Sequence, residues 1–359
     1  MKRFSIFAII VILISLLVVD YSEAQRRKYR RPPSKEYKIT HYSGGRVNDL
    51  RGEAKNIFIG VSINAMNYFG DIAPAPKKLS TDIGFTKSGI GLTIGKKFHP
   101  NVAVRLGANI GKITADDLDT ADPTSEDSRG RYTRNLHFEN TIKEINLGFE
   151  FDLFPNYGGI GSRFPINPYI FVGAAVFLHN PKGVVPENDL LGNPLENAGD
   201  KVSLRELGTE GQLTNIDSLP GQYSKLQFAI PIGIGIKFRL VKNFDAHLEF
   251  GLRQLFFDYI DDVSTNNVDL GALDSELARA LAERGAETSS ALSGTARDNT
   301  FYSTGTFTSP ITGDTYTVGE NYSAGGVRGG SKDNDFYLIT SLRFVYYISG
   351  KNVRRAKFR

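Results

Sequence analysis

Between residues 226 and 240 the chain alternates with a period of two, without a break. Leu226, Phe228, Ile230, Ile232, Ile234, Ile236, Phe238 and Leu240 fall on one face. Gln227, Ala229, Pro231, Gly233, Gly235, Lys237 and Arg239 fall on the other. A strand this long with one wholly apolar face suits a membrane wall better than a soluble sheet. Pro231 removes a ladder donor, so a bulge or local bend is expected there.

The pattern recurs about eight times. Ile57, Ile59, Val61 and Ile63 share a face, as do Ile90, Leu92 and Ile94. Val102, Val104, Leu106, Ala108 and Ile110 form a third set, and Ile145, Leu147, Phe149 and Phe151 a fourth. Residues 169–178 are apolar on both sides. Leu248, Phe250 and Leu252, and finally the set from Phe336 to Ile348, complete the series. Their connections alternate in length. They are short at His99 and Pro100 and at 241–243, moderate at 155–165, and long at 68–87, 114–135, 179–224 and 258–334. An even strand count with alternating short turns and long loops predicts an all-β, antiparallel transmembrane barrel of about eight strands over residues 56–348. Short turns then face the periplasm and long loops, chiefly 179–224 and 258–334, face outside. Within the last loop, residues 270–291 are rich in Ala, Leu and Glu and predict a helix. Residues 301–318 predict a β-ribbon around Pro310 and Gly313.

The N-terminus agrees with export. Lys2 and Arg3 precede an apolar run from Phe4 to Val19, and small residues end at Ala24. Residues 1–24 thus predict a signal peptide, too short in its apolar part for a span of about 20 residues. The chain contains 0 cysteines, which excludes acylation at the cleavage site, disulfides and cysteine metal centres. Residues 25–55 form a polar tail with Arg26, Arg27, Lys28, Arg30 and Arg31; residues 349–359 form a second with Lys351, Arg354 and Arg355. Behind a signal peptide such blocks speak against nucleic acid; a solvated tail is the default reading, and periplasmic acidic partners or lipid head groups are the contacts expected otherwise. The outer membrane and its lipid are the expected surroundings.

An eight-stranded barrel is just wide enough for its own side chains. Arg105, Glu144, Glu150, Lys237, Arg239, Glu249, Arg253 and Arg343 fall on inward positions, and are expected to pair and plug the lumen rather than line a pore. Aromatics are expected in two girdles: Tyr68, Phe138, Phe256, Tyr259 and Phe336 at the outer rim, and Phe98, Phe154, Tyr169, Phe238, Phe244, Tyr346 and Tyr347 at the inner. The five histidines, His41, His99, His137, His179 and His247, are scattered. Of these, His137 is the one within conceivable reach of Asp71 or Asp261. Gly89 and Gly91 lie inside a strand, not before a helix, so no nucleotide loop is present. No enzyme and no cofactor is expected. Asp258, Asp261 and Asp262 form an acidic cluster without EF-hand spacing, for which capping contacts to backbone or to Arg134 are expected.

Three segments carry a resemblance. One is Asn67, Tyr68, Phe69, Gly70, Asp71 and Ile72. The second runs from Arg134 to Asn140, followed by Glu144. The third runs from Phe257 to Ser264 and holds Asp258, Tyr259, Asp261 and Asp262. Together they resemble the PorG-like outer-membrane barrels of Bacteroidota, whose best-known members belong to the type IX secretion system. The resemblance implies a structural barrel associated with the periplasmic ring of the lipoprotein PorK and its partner PorN, with the two basic tails as contacts. The loops leave a different reading open: a surface barrel for binding or adhesion.

Overall fold

The computed structural model describes residues 57–72, 85–157, 160–214, 216–330 and 334–348. The two basic tails and the signal segment lie outside the described residues.

Eight long strands carry the fold: β1 (Ile57–Phe69), β2 (Lys87–His99), β3 (Val102–Asp116), β4 (His137–Asp152), β5 (Ile166–Leu178), β8 (Leu226–Val241), β9 (Phe244–Leu255) and β12 (Phe336–Ile348). Each pairs antiparallel with its neighbours in sequence order, and β1 pairs with β12 from Ile57↔Ile348 to Phe69↔Phe336. The sheet therefore closes on itself and leaves no barrel strand with a bare edge. The outward-facing aliphatics stay uncovered: Ile63, Ile90, Leu92, Ile145, Leu147, Ile170 and Ile234 are all exposed. In water such a belt would be an aggregation surface; in hydrocarbon it is the wall. Among the described residues no helix is long and apolar enough to cross a membrane, and the crossing is made by strands. The protein is an integral outer-membrane β-barrel.

Two-residue turns join β2 to β3 and β8 to β9, and each is entered through a register shift, at Lys97/His99 and Arg239/Val241. The bulge expected at Pro231 is absent. Pairing of β8 with β5 lapses between Val172↔Ile232 and Ala175↔Ala229, but the register is the same on both sides. The missing proline donor thus opens the ladder locally without adding a residue.

The outer connections that follow β3, β5 and β9 fold into a cap. The connection from β3 to β4 carries α1 (Asp117–Thr120) and α2 (Glu126–Arg134). That from β5 to β8 carries β6 (Pro181–Val184) and β7 (Lys201–Ser203), which extend β4 above the barrel. The last holds α3 (Glu276–Ala282) and the hairpin β10 (Thr304–Thr308) with β11 (Thr315–Gly319). The helix is much shorter than the composition of 270–291 predicts, because Glu283 leaves it to accept the amides of Gly285 and Gly319.

The girdles also need correction. Phe98, Phe256 and Tyr346 are exposed on the outer surface, but Tyr68, Phe138, Tyr169 and Tyr347 are buried inside. Tyr169 has room because the neighbouring strand β8 offers glycine beside it: a Cβ on Gly235 would lie 2.5 Å from Tyr169 Cζ.

Candidate functional site

The lumen is layered. Phe58, Ala103, Ile160, Val345 and Tyr347 pack together near the periplasmic end. Near the outer end Met66, Phe138, Phe177, Leu255 and Tyr337 join a larger core that continues into the cap. Between them lies the charged layer. Arg105 Nη1 donates to Glu150 Oε1 and to Glu249, each at 3.0 Å. Lys237 Nζ reaches Glu150 and Asp152, each at 2.7 Å. Arg343 Nη2 donates to Glu150 Oε1 at 2.7 Å and also meets Glu249. In the closed order of strands β3 faces β9 and β4 faces β12. The pairs Arg105–Glu249 and Arg343–Glu150 therefore cross the full lumen. A second group centres on Glu144, which accepts from Arg253 Nε at 3.1 Å, Tyr337 Oη at 2.8 Å and Asn109 Nδ2 at 2.9 Å. Arg239 stands apart from the layer, donating to backbone oxygens of Gly161 and Arg163 at the periplasmic turn.

Above the charged layer the three segments singled out in sequence converge into one knot. Tyr68 Oη contacts Asp261 Oδ2 at 2.5 Å and Asp335 Oδ1 at 3.0 Å. Asp335 Oδ2 accepts Ile260 N, and Asp261 Oδ1 accepts Val263 N, each at 3.0 Å. Asn140 Nδ2 donates to Ile260 O at 2.7 Å. Asn67 Nδ2 donates to Thr86 Oγ1 at 2.7 Å, and Phe69 stacks on Phe336 at 4.8 Å. Gly70 is passed so closely by Tyr68 and Asp335 that a Cβ there would collide with both. Asp71 Oδ2 accepts Gly330 N at 2.9 Å, and its carbonyl accepts Arg134 Nη2 at 3.0 Å. Arg134 also forms a two-point pair with Asp117, at 2.7 and 2.9 Å. Asp258 is buried beside this group. Asp262 takes a left-handed backbone, φ 71°, and accepts Thr209 Oγ1 and Tyr223 Oη, each at 2.6 Å. Tyr259 stacks on Tyr223, with centroids 5.1 Å apart.

Burial sets the protonation of this region. It raises Asp261 well above the usual carboxylate range, reinforced by the charge of Asp71. It raises Asp335 likewise, reinforced by Asp261 and Asp258. Asp262 is pushed up to about 6 by burial despite Arg328, and Glu283 to about 7 despite two amide donors. No group of three or more metal-capable side chains is found among the described residues. Of the acidic cluster Asp258, Asp261 and Asp262, Asp261 caps the backbone amide of Val263, while Arg134 pairs with Asp117.

Sequence reasoning missed what ties the cap together. Arg328 Nη1 pairs with Glu210 Oε1 at 2.9 Å, and Glu210 in turn accepts Ser264 N and Thr265 N. Arg297 donates to Tyr132 O and to Gly285 O, each at 2.8 Å. Leu190, Val268, Leu270, Leu273, Tyr316 and Val318 form a second core wholly within the outer connections. No local pattern marks these partners, which lie far apart along the chain. His137 does not meet Asp71 or Asp261: its Nε2 accepts Val184 N at 3.0 Å. His247 lies in the lumen against Arg343, and His179 stacks on Tyr223.

A family model described as "Domain of unknown function (DUF6089)" matches residues 47–194. No curated protein matches the chain in sequence. Among solved structures, OprG from Pseudomonas aeruginosa is 11% identical with a TM-score of 0.34, over 84% of this chain and 99% of that one. The attachment invasion locus protein of Yersinia pestis is 8% identical with a TM-score of 0.32, over 82% of this chain and 99% of that one. Neisserial surface protein A is 6% identical with a TM-score of 0.31, over 81% and 96%. These outer-membrane proteins are what the chain is similar to in structure, at a distance from which no ligand or partner is transferred.

Proposed function

We propose that the protein is a non-catalytic surface barrel that presents a folded extracellular cap for binding. One observation carries this reading: the outer connections possess a hydrophobic core of their own and are cross-linked by buried polar contacts. Closing a barrel needs only short loops. Ordering more than a hundred loop residues costs conformational entropy, and a fixed outer surface is what that ordering produces.

The cap has a natural neck at which to test this. Asn266 bridges Val327, and Asn267 N donates to Gly326 O at 2.7 Å. Replacing residues 268–324 by a short Gly-Ser link should leave a folded barrel. Cells carrying this variant are expected to lose attachment to immobilised glycan and matrix-protein arrays that wild-type cells retain. Equal attachment by both would remove the proposal.

A second reading rests on the convergence of the three PorG-like segments in one knot. It makes the protein a structural component of the type IX secretion system, seated on a periplasmic PorK/PorN-like ring through Arg26, Arg27, Lys28, Arg30, Arg31, Lys351, Arg354 and Arg355. Its test is a pull-down from gently solubilised outer membranes. Recovery of the ring lipoprotein, lost on charge reversal of those tails, supports it; an intact ring recovered without this protein removes it.

A further inference from the structure

The lipid-facing surface is uneven in charge. On the outward positions of the eight barrel strands that are not buried beneath the cap, the described charged residues are Lys96 near the periplasmic end of β2, and Lys112, Glu139 and Lys143 on adjoining parts of β3 and β4. Outward positions of β1, β5, β8, β9 and β12 carry none. Lys143 pairs in register with Ile110 and Leu178, the last outward aliphatics of their strands, and Lys112 pairs with Thr141 one step higher. The outward aliphatic runs of β3 and β5 stop here.

Two more lysines continue the same face. Glu139 pairs in register with Lys182 on β6, and Val184 with Lys201 on β7. Lys143 and Lys182 are exposed. Lys112 and Lys201 are 52% and 44% exposed, and Glu139 tethers both, at 3.0 and 2.9 Å. Four ammonium groups against one carboxylate leave a net charge of +3 on one side of the barrel, directly above its aliphatic belt.

We propose that Lys112, Lys143, Lys182 and Lys201 form a binding surface for the phosphate groups of a glycolipid in the outer leaflet. Acyl chains of such a lipid lie along Ile110, Ile145, Leu147 and Leu178, and its phosphates meet the lysines, whose stems extend to the interface. The β6–β7 extension gives the surface its height: it lifts Lys182 and Lys201 on a sheet continuous with the wall, so a head group meets cations at two levels. Glu139 holds Lys112 and Lys201 in place between lipids.

Native mass spectrometry of the full protein in mild detergent tests this, with monophosphoryl lipid A and the same lipid stripped of phosphate as probes. The wild type is expected to retain the phosphorylated lipid. The variant K112Q/K143Q/K182Q/K201Q, with heat-modifiable migration showing it folded, is expected to retain at least about ten-fold less, since each lysine near a lipid surface is worth about 1 kcal/mol. If that variant does not fold, K182Q/K201Q, which leaves the barrel strands intact, is expected to lose about half the effect in free-energy terms. Equal retention by wild type and variant, or equal retention of the phosphate-free lipid, overturns the proposal.

Discussion

Tyr68 has one hydroxyl proton but lies within hydrogen-bond distance of two carboxyl groups, Asp261 and Asp335. Ionised carboxylates only accept, so one of the three oxygens must supply a second proton. The knot therefore holds a neutral acid, in keeping with the raised pKa of both aspartates. A carboxyl raised on folding stabilises most below its unfolded pKa of about 3.9, and that contribution is lost as pH rises through the folded value. With Asp262 at about 6 and Glu283 at about 7, the cap is expected to loosen as pH rises from about 4 to about 7. Hydrogen exchange at residues 257–264 should speed up over that range beyond the intrinsic rate, and Asp335→Asn should flatten the rise. In the lumen, Arg343→Met leaves Glu150 and Glu249 short of one cation. Removing one partner of a buried pair costs about 3–5 kcal/mol, which a urea unfolding series in detergent should show. At this scale the parity of the sequence placed Arg105, Glu144, Glu150, Lys237, Glu249, Arg253 and Arg343 on the inner face, but it did not choose partners. The same parity puts Tyr68 out of phase with Ile57, Ile59, Val61 and Ile63 and so inward, but it did not show the partner Asp261, which is 193 positions away.

The strands were legible because lipid on one side and packed side chains on the other preserve strict alternation. Where that asymmetry ends, so did legibility. Residues 113–116 of β3 and 137–138 of β4 are buried on both faces beneath the cap, so the periodic signal stops while the strands continue. Helix α3 was overestimated because alanine and leucine content speaks for a helix without fixing where it ends. Its start is set by Ser275, whose Oγ accepts Ala278 N at 3.1 Å. Ser275→Ala is expected to cost about 1 kcal/mol, read as faster exchange confined to residues 276–282 while the barrel strands keep their protection. The hairpin of β10 and β11 was visible through Pro310 and Gly313, whose φ of 79° suits glycine in the turn.

For the whole molecule, the alternation of short and long connections determines which end faces the cell exterior, and the proposed binding role depends on it. The chain contains 0 cysteines, so single thiols report position without background. Thr312 is exposed in the turn between β10 and β11, and Lys242 is exposed in the two-residue turn between β8 and β9. The most direct measurement is labelling of Thr312→Cys and Lys242→Cys on intact cells with a membrane-impermeant maleimide. The cap account predicts that Cys at 312 is labelled at once and Cys at 242 only after the outer membrane is breached. Labelling of 242 but not 312 on intact cells would place the cap in the periplasm and contradict the account.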